Sequence, residues 1–590
     1  MSDFVAWLSP LAVPEAIRRR WSWSESGLVG IRRKPWTELG QCRQSNDELI
    51  FVGHGRGERG NRHFPPADPL ALRLLQDLHK LGADGLNIHL GPTAGVFIQD
   101  AGRQVTIWRD RFGRHPLQMI RLSQGWAVTT CPEFVERLSH GEPRWSNIAG
   151  FIHNSPSTAE EDVFLDVFRI RPSEAIIFRD HEIHERRRWW NPERQQVTDP
   201  VPRMTSLLQE IGELYGRSPH VIALSAGLDS ATLAAVISRW HPSHEALTFT
   251  DPGSPRNEGP WAADVADHLR LSWKAFRISE HWPLSRPDDH RFPVGWGPPA
   301  HPDFAWKIPF HRWLRRRRPT MPVIYGNGAD EALWFPPYLW LQSRWHHGDW
   351  SALSAAYRHL PLSRWLRPGL SAAVDALALR DLRSFLPEWP TELAPWQQPS
   401  TWLSSAARCD TPPRADRPEE RLYLLRLWRL HTWRWERVMR SLAYEARRSR
   451  RAIRTPFLDA EFWELCLSLR PTDLVQGGRQ KAILRHAVSE LLPARCYERP
   501  KVGGFDSVVE RGLAKRAPRQ VYAYFSRPHL RRWSSFDTGE FLRAYEEYRR
   551  PPTDCATTYR GSWAIWKTVA CELWLRRHGL SGRHTDDRGL

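Results

Sequence analysis

The sequence predicts a two-part α/β and α+β protein, with an N-terminal β-sandwich followed by a doubly wound α/β domain carrying helical additions. Three observations carry this expectation. Residues 1–195 read as short alternating strands with turns at Gly53-His54-Gly55 and Gly91-Pro92. Residues 221–230, V-I-A-L-S-A-G-L-D-S, form an apolar run that ends in a small-residue loop ahead of the apolar stretch 231–237. Val323-Ile324-Tyr325 runs into Gly326-Asn327-Gly328-Ala329-Asp330-Glu331, a second apolar strand ending in a glycine turn that bears carboxylates.

Taken in order, the polar stretch 191–202, with Pro at both ends, reads as a linker. A helix over 204–214 precedes the strand at 221, and the next strand is Ala246-Leu247-Thr248-Phe249-Thr250. Glu258 opens a helical stretch over 262–269, and the α/β alternation runs to about residue 345. Residues 345–455 read as helical, interrupted by a Pro-rich, polar segment, 387–418, expected to be a mobile loop over the site. Amphipathic helices return at 420–447 and fill most of the remainder, ending at 562–577 before a frayed tail. The expected divisions are 1–195, 203–580 and the tail 581–590.

The two loops carry the chemistry. Small residues at Ser225, Ala226 and Gly227 let backbone N–H groups approach an anion, and the following helix N-terminus adds its partial positive charge. Asp229 can hold a divalent cation that neutralises the rest. Ligands of doubly wound sheets sit outside the carboxyl ends of the strands, so Asp229 and Asp330 are placed to share one Mg2+ over a triphosphate. The chain has neither a G-x-x-x-x-G-K-[ST] loop nor a G-x-G-x-x-G dinucleotide fingerprint.

The first loop resembles the S-G-G-x-D-S pyrophosphate loop of ATP pyrophosphatases, and the wider pattern resembles the asparagine synthetase-like family. That pattern comprises the turn 326–331, Pro456-Phe457-Leu458-Asp459, the G-G-R-x-K-x-x-L-R-x-A stretch at 477–487, and Arg499-Pro500-Lys501 with Gly503. The resemblance implies ATP and Mg2+ as cofactors, with Asp229 and Asp330 as metal ligands. It implies that Ser225, Gly227 and Ser230 hold the β,γ-phosphates and that the backbones of Leu224 and Gly326 frame the adenosine. Lys501 matches the family's catalytic lysine and would offset charge at the α-phosphate. The spacing of Lys481 and Arg485 puts them on one helix face, within reach of phosphate or of acidic partners.

The first half is similar to the family's glutaminase-like (Ntn-type) sandwich at Gly95-Val96-Phe97, at 109–117 (R-D-R-F-G-R-H-P-L), at 168–172 and at Trp190-Asn191-Pro192. A glutaminase of this family exposes an N-terminal Cys, whereas this chain begins Met1-Ser2-Asp3-Phe4 and lacks the R-G-P-D and N-G-E substrate motifs. The expectation is a degenerate scaffold in which ammonia from glutamine is not the nucleophile. Relatives without a glutaminase use an amine already on their substrate, and the resemblance is greatest to lasso peptide macrolactam cyclases. Such an enzyme adenylates an Asp or Glu side chain of a precursor peptide and traps it with the peptide's N-terminal amine, releasing AMP and pyrophosphate. Its implied partners are the precursor peptide, a leader peptidase and a leader-binding (RiPP recognition) protein.

Asparagine synthetases place Glu, and β-lactam synthetases Tyr, where this chain has Asn327, which cannot act as a base. The amine's proton could go to solvent, to phosphate or to a carboxylate such as Glu331. Asparagine synthetase or β-lactam synthetase-like ligation remains the alternative, and a tRNA-modifying adenylating enzyme a further one. The composition, 32 Trp and a net charge of +18, suits a large amphipathic or acidic partner or reflects an Arg-biased genome. The run Arg315-Arg316-Arg317-Arg318 reads as a solvated helix face, not a nucleic-acid surface. With 41 % hydrophobic residues, mean hydropathy −0.55, no apolar run of membrane-spanning length and no opening signal, the expectation is a cytoplasmic protein with no membrane association. Seven scattered cysteines indicate neither a zinc site nor a disulfide framework.

Overall fold

The computed structural model describes residues 3–24, 26–34, 38–53, 66–89, 91, 93–225, 227–254, 257–285, 292–302, 304–317, 321–335, 339, 343, 401–404, 410, 412–413, 415–476, 479–497, 506–550 and 555–581. The first half is two six-stranded antiparallel sheets packed face to face. One orders its strands Val167–Arg169, Gln118–Arg121, Trp126–Thr129, Asp3–Leu8, Val29–Arg32 and Ser22–Trp23. The other runs Glu182–Arg188, Glu174–Arg179, Gln104–Trp108, Thr93–Gln99, Asp47–Gly53 and Leu39–Gln44.

The two-residue side-chain period of a strand sorts the apolar residues between layers. In the strand Asp3–Leu8, Phe4, Ala6 and Leu8 point into the core between the sheets, where they meet Ile50, Val96, Ile107 and Val128. Val5 and Trp7 point the other way, into a cluster with helices Pro132–Leu138 and Trp145–Ile152 and the C-terminal helix Cys555–Ser581. On the second sheet, Leu49, Phe51, Phe97 and Trp108 face outward onto helix Ala67–Leu81. Both faces of both sheets are therefore apolar, and the sandwich is covered on each side.

The second half is built on one parallel sheet ordered Ser272–Arg277, Glu245–Thr250, Val221–Ala223, Val323–Ile324 and Ile453–Arg454. In chain order this is 3-2-1-4-5, the doubly wound arrangement, which reverses direction between Val221–Ala223 and Val323–Ile324. The expected linker closes with Asp199, whose side chain accepts from the Val201 N–H and caps helix Pro200–Gly216, four residues longer at its N-terminus than the sequence suggested. The expected long amphipathic helix over 420–447 is two helices, Pro418–His431 and Trp433–Ser449. Thr432 separates them because its hydroxyl donates to the Arg429 carbonyl at 2.7 Å and accepts from the Trp435 N–H at 3.5 Å, ending one helix and starting the next.

Most of the expected loop 387–418 lies outside the described residues. Its described part is anchored, with Trp402 buried and donating to Thr568 Oγ1 at 3.1 Å. No helix among the described residues is long and apolar enough to cross a membrane, and the five described cysteines are all free.

Candidate active site at the strand crossover

The crevice lies where the sheet order reverses. Gly326 lets the two strand ends approach closely, since a Cβ there would sit 3.3 Å from the Ser230 nitrogen and 3.4 Å from Asp229 Cβ. Gly328 holds φ +109°, and a Cβ would stand 2.6 Å from Leu458 Cδ2 of the Pro456–Asp459 segment, so only glycine makes this turn. Asp459 is the N-cap of helix Ala460–Ser468, accepting from the N–H groups of Glu461 at 2.9 Å and Phe462 at 3.1 Å.

The phosphate-type loop is closed on its own hydroxyls. Ser225 Oγ and Ser230 Oγ are 2.8 Å apart, the Ser225 N–H donates to Ser230 Oγ at 2.9 Å, and the Gly227 N–H donates to Ser225 Oγ at 3.1 Å. Three predicted phosphate-loop residues thus point their donors at one small-oxygen cluster at the start of helix Leu228–Ile237. Leu224 is buried; its N–H donates to the Leu247 carbonyl at 2.8 Å, and its own carbonyl accepts from Thr248 Oγ1 at 2.7 Å. That carbonyl keeps a second lone pair for a ligand. Ala226 lies outside the described residues.

Asp229 and Asp330 converge on a single cation. Lys481 Nζ lies 2.5 Å from both Asp229 carboxylate oxygens and 2.7 Å from Asp330 Oδ1. This corrects the placement of Lys481 and Arg485 on one helix face. Lys481 instead stands in the left-handed conformation (φ 57°, ψ 39°) at the N-cap of helix Ala482–Ala487, which turns its side chain into the crevice. Arg485 turns away to the carbonyls of Gln480, at 2.8 Å, and Tyr497. A non-glycine residue in that backbone region carries a conformational cost that the double ion pair offsets. Burial lowers the Lys481 ammonium, and the two carboxylates more than reverse this, so its pKa is raised.

The donor set fits Mg2+. That ion takes one or two carboxylates and completes its shell with water and phosphate oxygens, and two carboxylates already share one cation here. Among the described residues no group of three or more His, Cys, Asp or Glu side chains is placed to enclose a metal by itself.

Glu331, next in the turn, accepts from the Gly328 N–H at 3.1 Å; burial, and then the neighbouring Asp330 charge, raise its carboxyl pKa while Arg429 opposes them. Arg429 lies 4.0 Å over the Trp334 ring. At the end of the adjacent strand, Asp251 is buried and paired with Arg511. Lys501 and the rest of its R-P-K segment lie outside the described residues.

One group escaped the sequence reading. The Tyr325 hydroxyl, one residue before Gly326, donates to Glu445 Oε2 at 2.5 Å, and Lys307 pairs with the other oxygen of Glu445. Lys307 and Glu445 line a small open depression, with room for about one water molecule, together with Phe292, His301, His311 and Tyr444. The only signal in the sequence was a carboxylate among arginines, in Tyr444-Glu445-Ala446-Arg447-Arg448.

The R-D-x-x-G segment of the sandwich faces the second half as a clamp. Arg109 is fully buried and donates to Glu436 Oε2 at 2.7 Å, to the Ile170 carbonyl and to the Gly113 carbonyl, both at 2.6 Å. Glu436 also accepts from Arg440 Nε at 2.9 Å, and Arg440 pairs with Asp162 at 2.5 Å. Burial alone would raise the Glu436 carboxyl, but Arg109, Arg440 and Arg169 outweigh it and hold its pKa down to about 2. At the other end of the interface Asp3 is buried among Arg32 at 2.8 Å, Lys34 at 2.9 Å and Arg447 at 2.8 Å.

Fold and site together define an α/β protein with a carboxylate-bearing, phosphate-type crevice at the switch point of a parallel sheet, fused to an antiparallel sandwich. A family model for asparagine synthase matches residues 212–576, more than half of the chain. The chain belongs to the asparagine synthase family. Comparison with curated proteins gives no match. Among solved structures, the chain is similar to glutamine phosphoribosylpyrophosphate amidotransferase from B. subtilis, complexed with ADP and GMP, at 10 % identity and a TM-score of 0.20. That match covers 47 % of this chain and 59 % of the other. A structure titled as the allosteric regulatory enzyme of purine biosynthesis matches at 9 % identity and a TM-score of 0.22, covering 47 % of this chain and 65 % of its own. The chain thus spans less than two thirds of either, and likenesses at these TM-scores carry no argument.

Proposed function

We propose that this chain is an ATP-dependent, AMP-forming amide ligase that closes a peptide macrolactam, in the manner of a lasso peptide cyclase. The observation that carries the reading is the convergence of Asp229 and Asp330 on one cation beside the Ser225/Gly227/Ser230 loop. Joining AMP to a carboxylate brings two anions together, and bound Mg2+ supplies the charge that permits it. The chain's own residues then hold the leaving pyrophosphate on loop N–H groups, and Lys481 and Lys501 offset charge on the phosphates. With Asp229 and Asp330 holding the metal, the long side chain of Lys481 would be free to reach phosphate oxygens.

The acyl carbon is then attacked by the peptide's N-terminal amine, AMP leaves, and the net change in the peptide is the loss of one water. Asn327 cannot take the amine's proton, so the reading assigns that role to a carboxylate such as Glu331, which follows the metal-ligating Asp330 in the same turn. On this reading the sandwich acts as a degenerate glutaminase-like scaffold, held to the second half by pairs such as Asp3 with Arg447. A leader peptidase and a leader-binding protein would supply the unmasked peptide.

The test is product analysis with Mg-ATP, the processing partners and a precursor peptide encoded nearby. AMP, pyrophosphate and a core peptide lighter by one water, resistant to carboxypeptidase, are expected. ADP as the sole nucleotide product would sink the pyrophosphatase assignment, whereas AMP with free asparagine would sink only the cyclase assignment.

A further inference from the structure

Away from the crevice, two cations share one aromatic ring with no acid beside them. Lys567, on helix Cys555–Ser581, places Nζ 5.6 Å from the centre of the Phe151 ring, and Arg437, on helix Trp433–Ser449, places Cζ 4.7 Å from the same centre. Lys567 is 6 % exposed, and its hydrogen-bond acceptor is a neutral amide, Asn154 Oδ1 at 2.8 Å. Arg437 Nη1 is buried and has no acceptor. Neither side chain forms an ion pair with any described carboxylate. Arg434, one turn before Arg437 on the same helix, is exposed and likewise forms no ion pair with a described residue.

Buried like charges without a counter-charge are costly in a low-dielectric interior, and native proteins neutralise them by proton loss or by a bound counter-ion. The electrostatics agree. Burial first, then Arg437 and Arg434, pushes the Lys567 amine well below the usual lysine range, and burial together with Lys567 lowers the pKa of His153 nearby. Apart from the neutral Cys571 thiol, the ionisable groups that face the spot are donors: the Lys567 amine, the planar Arg437 guanidinium and the nearby Arg434. The matching ligand carries only acceptors and negative charge. The cations also continue toward the crevice, because Arg434 acts electrostatically on Arg429, and Arg429 in turn on Asp330 and Glu331.

We propose that Arg437 and Lys567, with the exposed Arg434 beside them, form an oxyanion site that takes a carboxylate or phosphate group, separate from the Asp229/Asp330 crevice. A carboxylate would come from an acidic peptide and a phosphate from solution.

The test measures the melting temperature and calorimetric binding of the full chain with inorganic phosphate in one arm and N-acetyl-aspartate in the other. Wild type and the variants Lys567→Met and Arg437→Leu are compared, so that any binding in the crevice is common to all three. The expected result is that each variant binds the anion about 10-fold or more weakly, as the loss of a hydrogen bond to a charged group implies. Without anion, each variant should be no less stable than wild type, because the charge removed had no partner. The arm that responds identifies the source. Lys567→Gln, which keeps the bond to Asn154 without the charge, decides the matter should Lys567→Met fail to fold. An anion response that is absent in wild type, or equal in wild type and variants, overturns the proposal.

Discussion

Replacing Glu436 with Gln should loosen the protein at the junction of its two halves. Glu436 is buried, takes Arg109 from the sandwich at 2.7 Å and Arg440 from its own helix at 2.9 Å, and lies 3.9 Å from Arg169. Holding a carboxyl at about 2, against its ordinary 4.5, corresponds to about 3 kcal/mol at 1.36 kcal/mol per unit. Glutamine keeps the shape but leaves Arg109 buried without its ion-pair partner, and breaking a buried pair by removing one partner costs about 3–5 kcal/mol. The two routes agree, so a loss of about 3 kcal/mol or more at pH 7 is expected.

Urea unfolding followed by tryptophan fluorescence reads the loss, and limited proteolysis within residues 191–202 reports whether the halves part first. A double-mutant cycle isolates the pair, because Arg109→Met removes the stranded charge. The double variant should therefore recover at least about 1 kcal/mol over the sum of the singles. A loss below about 1 kcal/mol, or strict additivity, would refute the clamp.

Asp229→Ala and Asp330→Ala should each abolish ATP turnover while leaving circular dichroism and melting temperature near wild type, because both carboxylates face the crevice and not the core. Loss of folded protein would mark them as structural. Lys501→Ala should stop product formation, with kcat falling by about 100-fold or more, and unchanged turnover would exclude it from the chemistry. Stability should begin to fall below about pH 6.5. His220, whose pKa burial lowers to about 3, must charge in the unfolded chain first. A second fall should follow below about pH 4.5, because Glu436 and Asp3, both held at about 2 against burial by their arginine and lysine partners, keep their stabilising charge above the ordinary carboxylate range and lose it as pH approaches 2. An acid-unfolding curve flat between pH 6.5 and pH 3 would contradict both assignments.

What the sequence disclosed was the chemistry carried by contiguous residues. The strand–loop–helix at 221–237 and the turn at 326–331 are local patterns whose apolar runs and glycines dictate their own geometry, and the crossover of the sheet brings them together as expected. The break at Thr432 was also written locally, as a hydroxyl residue at a helix boundary, but the amphipathic period on either side concealed it. Lys481 was misplaced for a different reason. Its left-handed backbone is held by carboxylates 252 and 151 positions away, and helical spacing says nothing of such contacts. The pairings Arg109–Glu436 and Tyr325–Glu445 span 327 and 120 positions, so the residues were visible but their partners were not.

These distant pairings tie the sandwich to the helix and strand that flank the crevice. Glu436, Arg440 and Arg447 follow one another on helix Trp433–Ser449 at spacings of four and seven, which at 3.6 residues per turn line a single face. That face meets Arg109, Asp162, Asp3 and Glu133, all from the sandwich side. Glu445 lies nine residues after Glu436, about half a turn round, and so points away from the sandwich to Tyr325 at the edge of the crevice. Arg454, on the last strand of the parallel sheet, pairs with Glu38 of the sandwich side at 2.9 Å, and Arg114 reaches the Ile453 carbonyl of the same strand. The sandwich therefore fixes the rotation of the helix that delivers Glu445 and the position of the strand that closes the sheet. Removing it would leave Glu436, Arg440 and Arg447 without the charges that set that rotation.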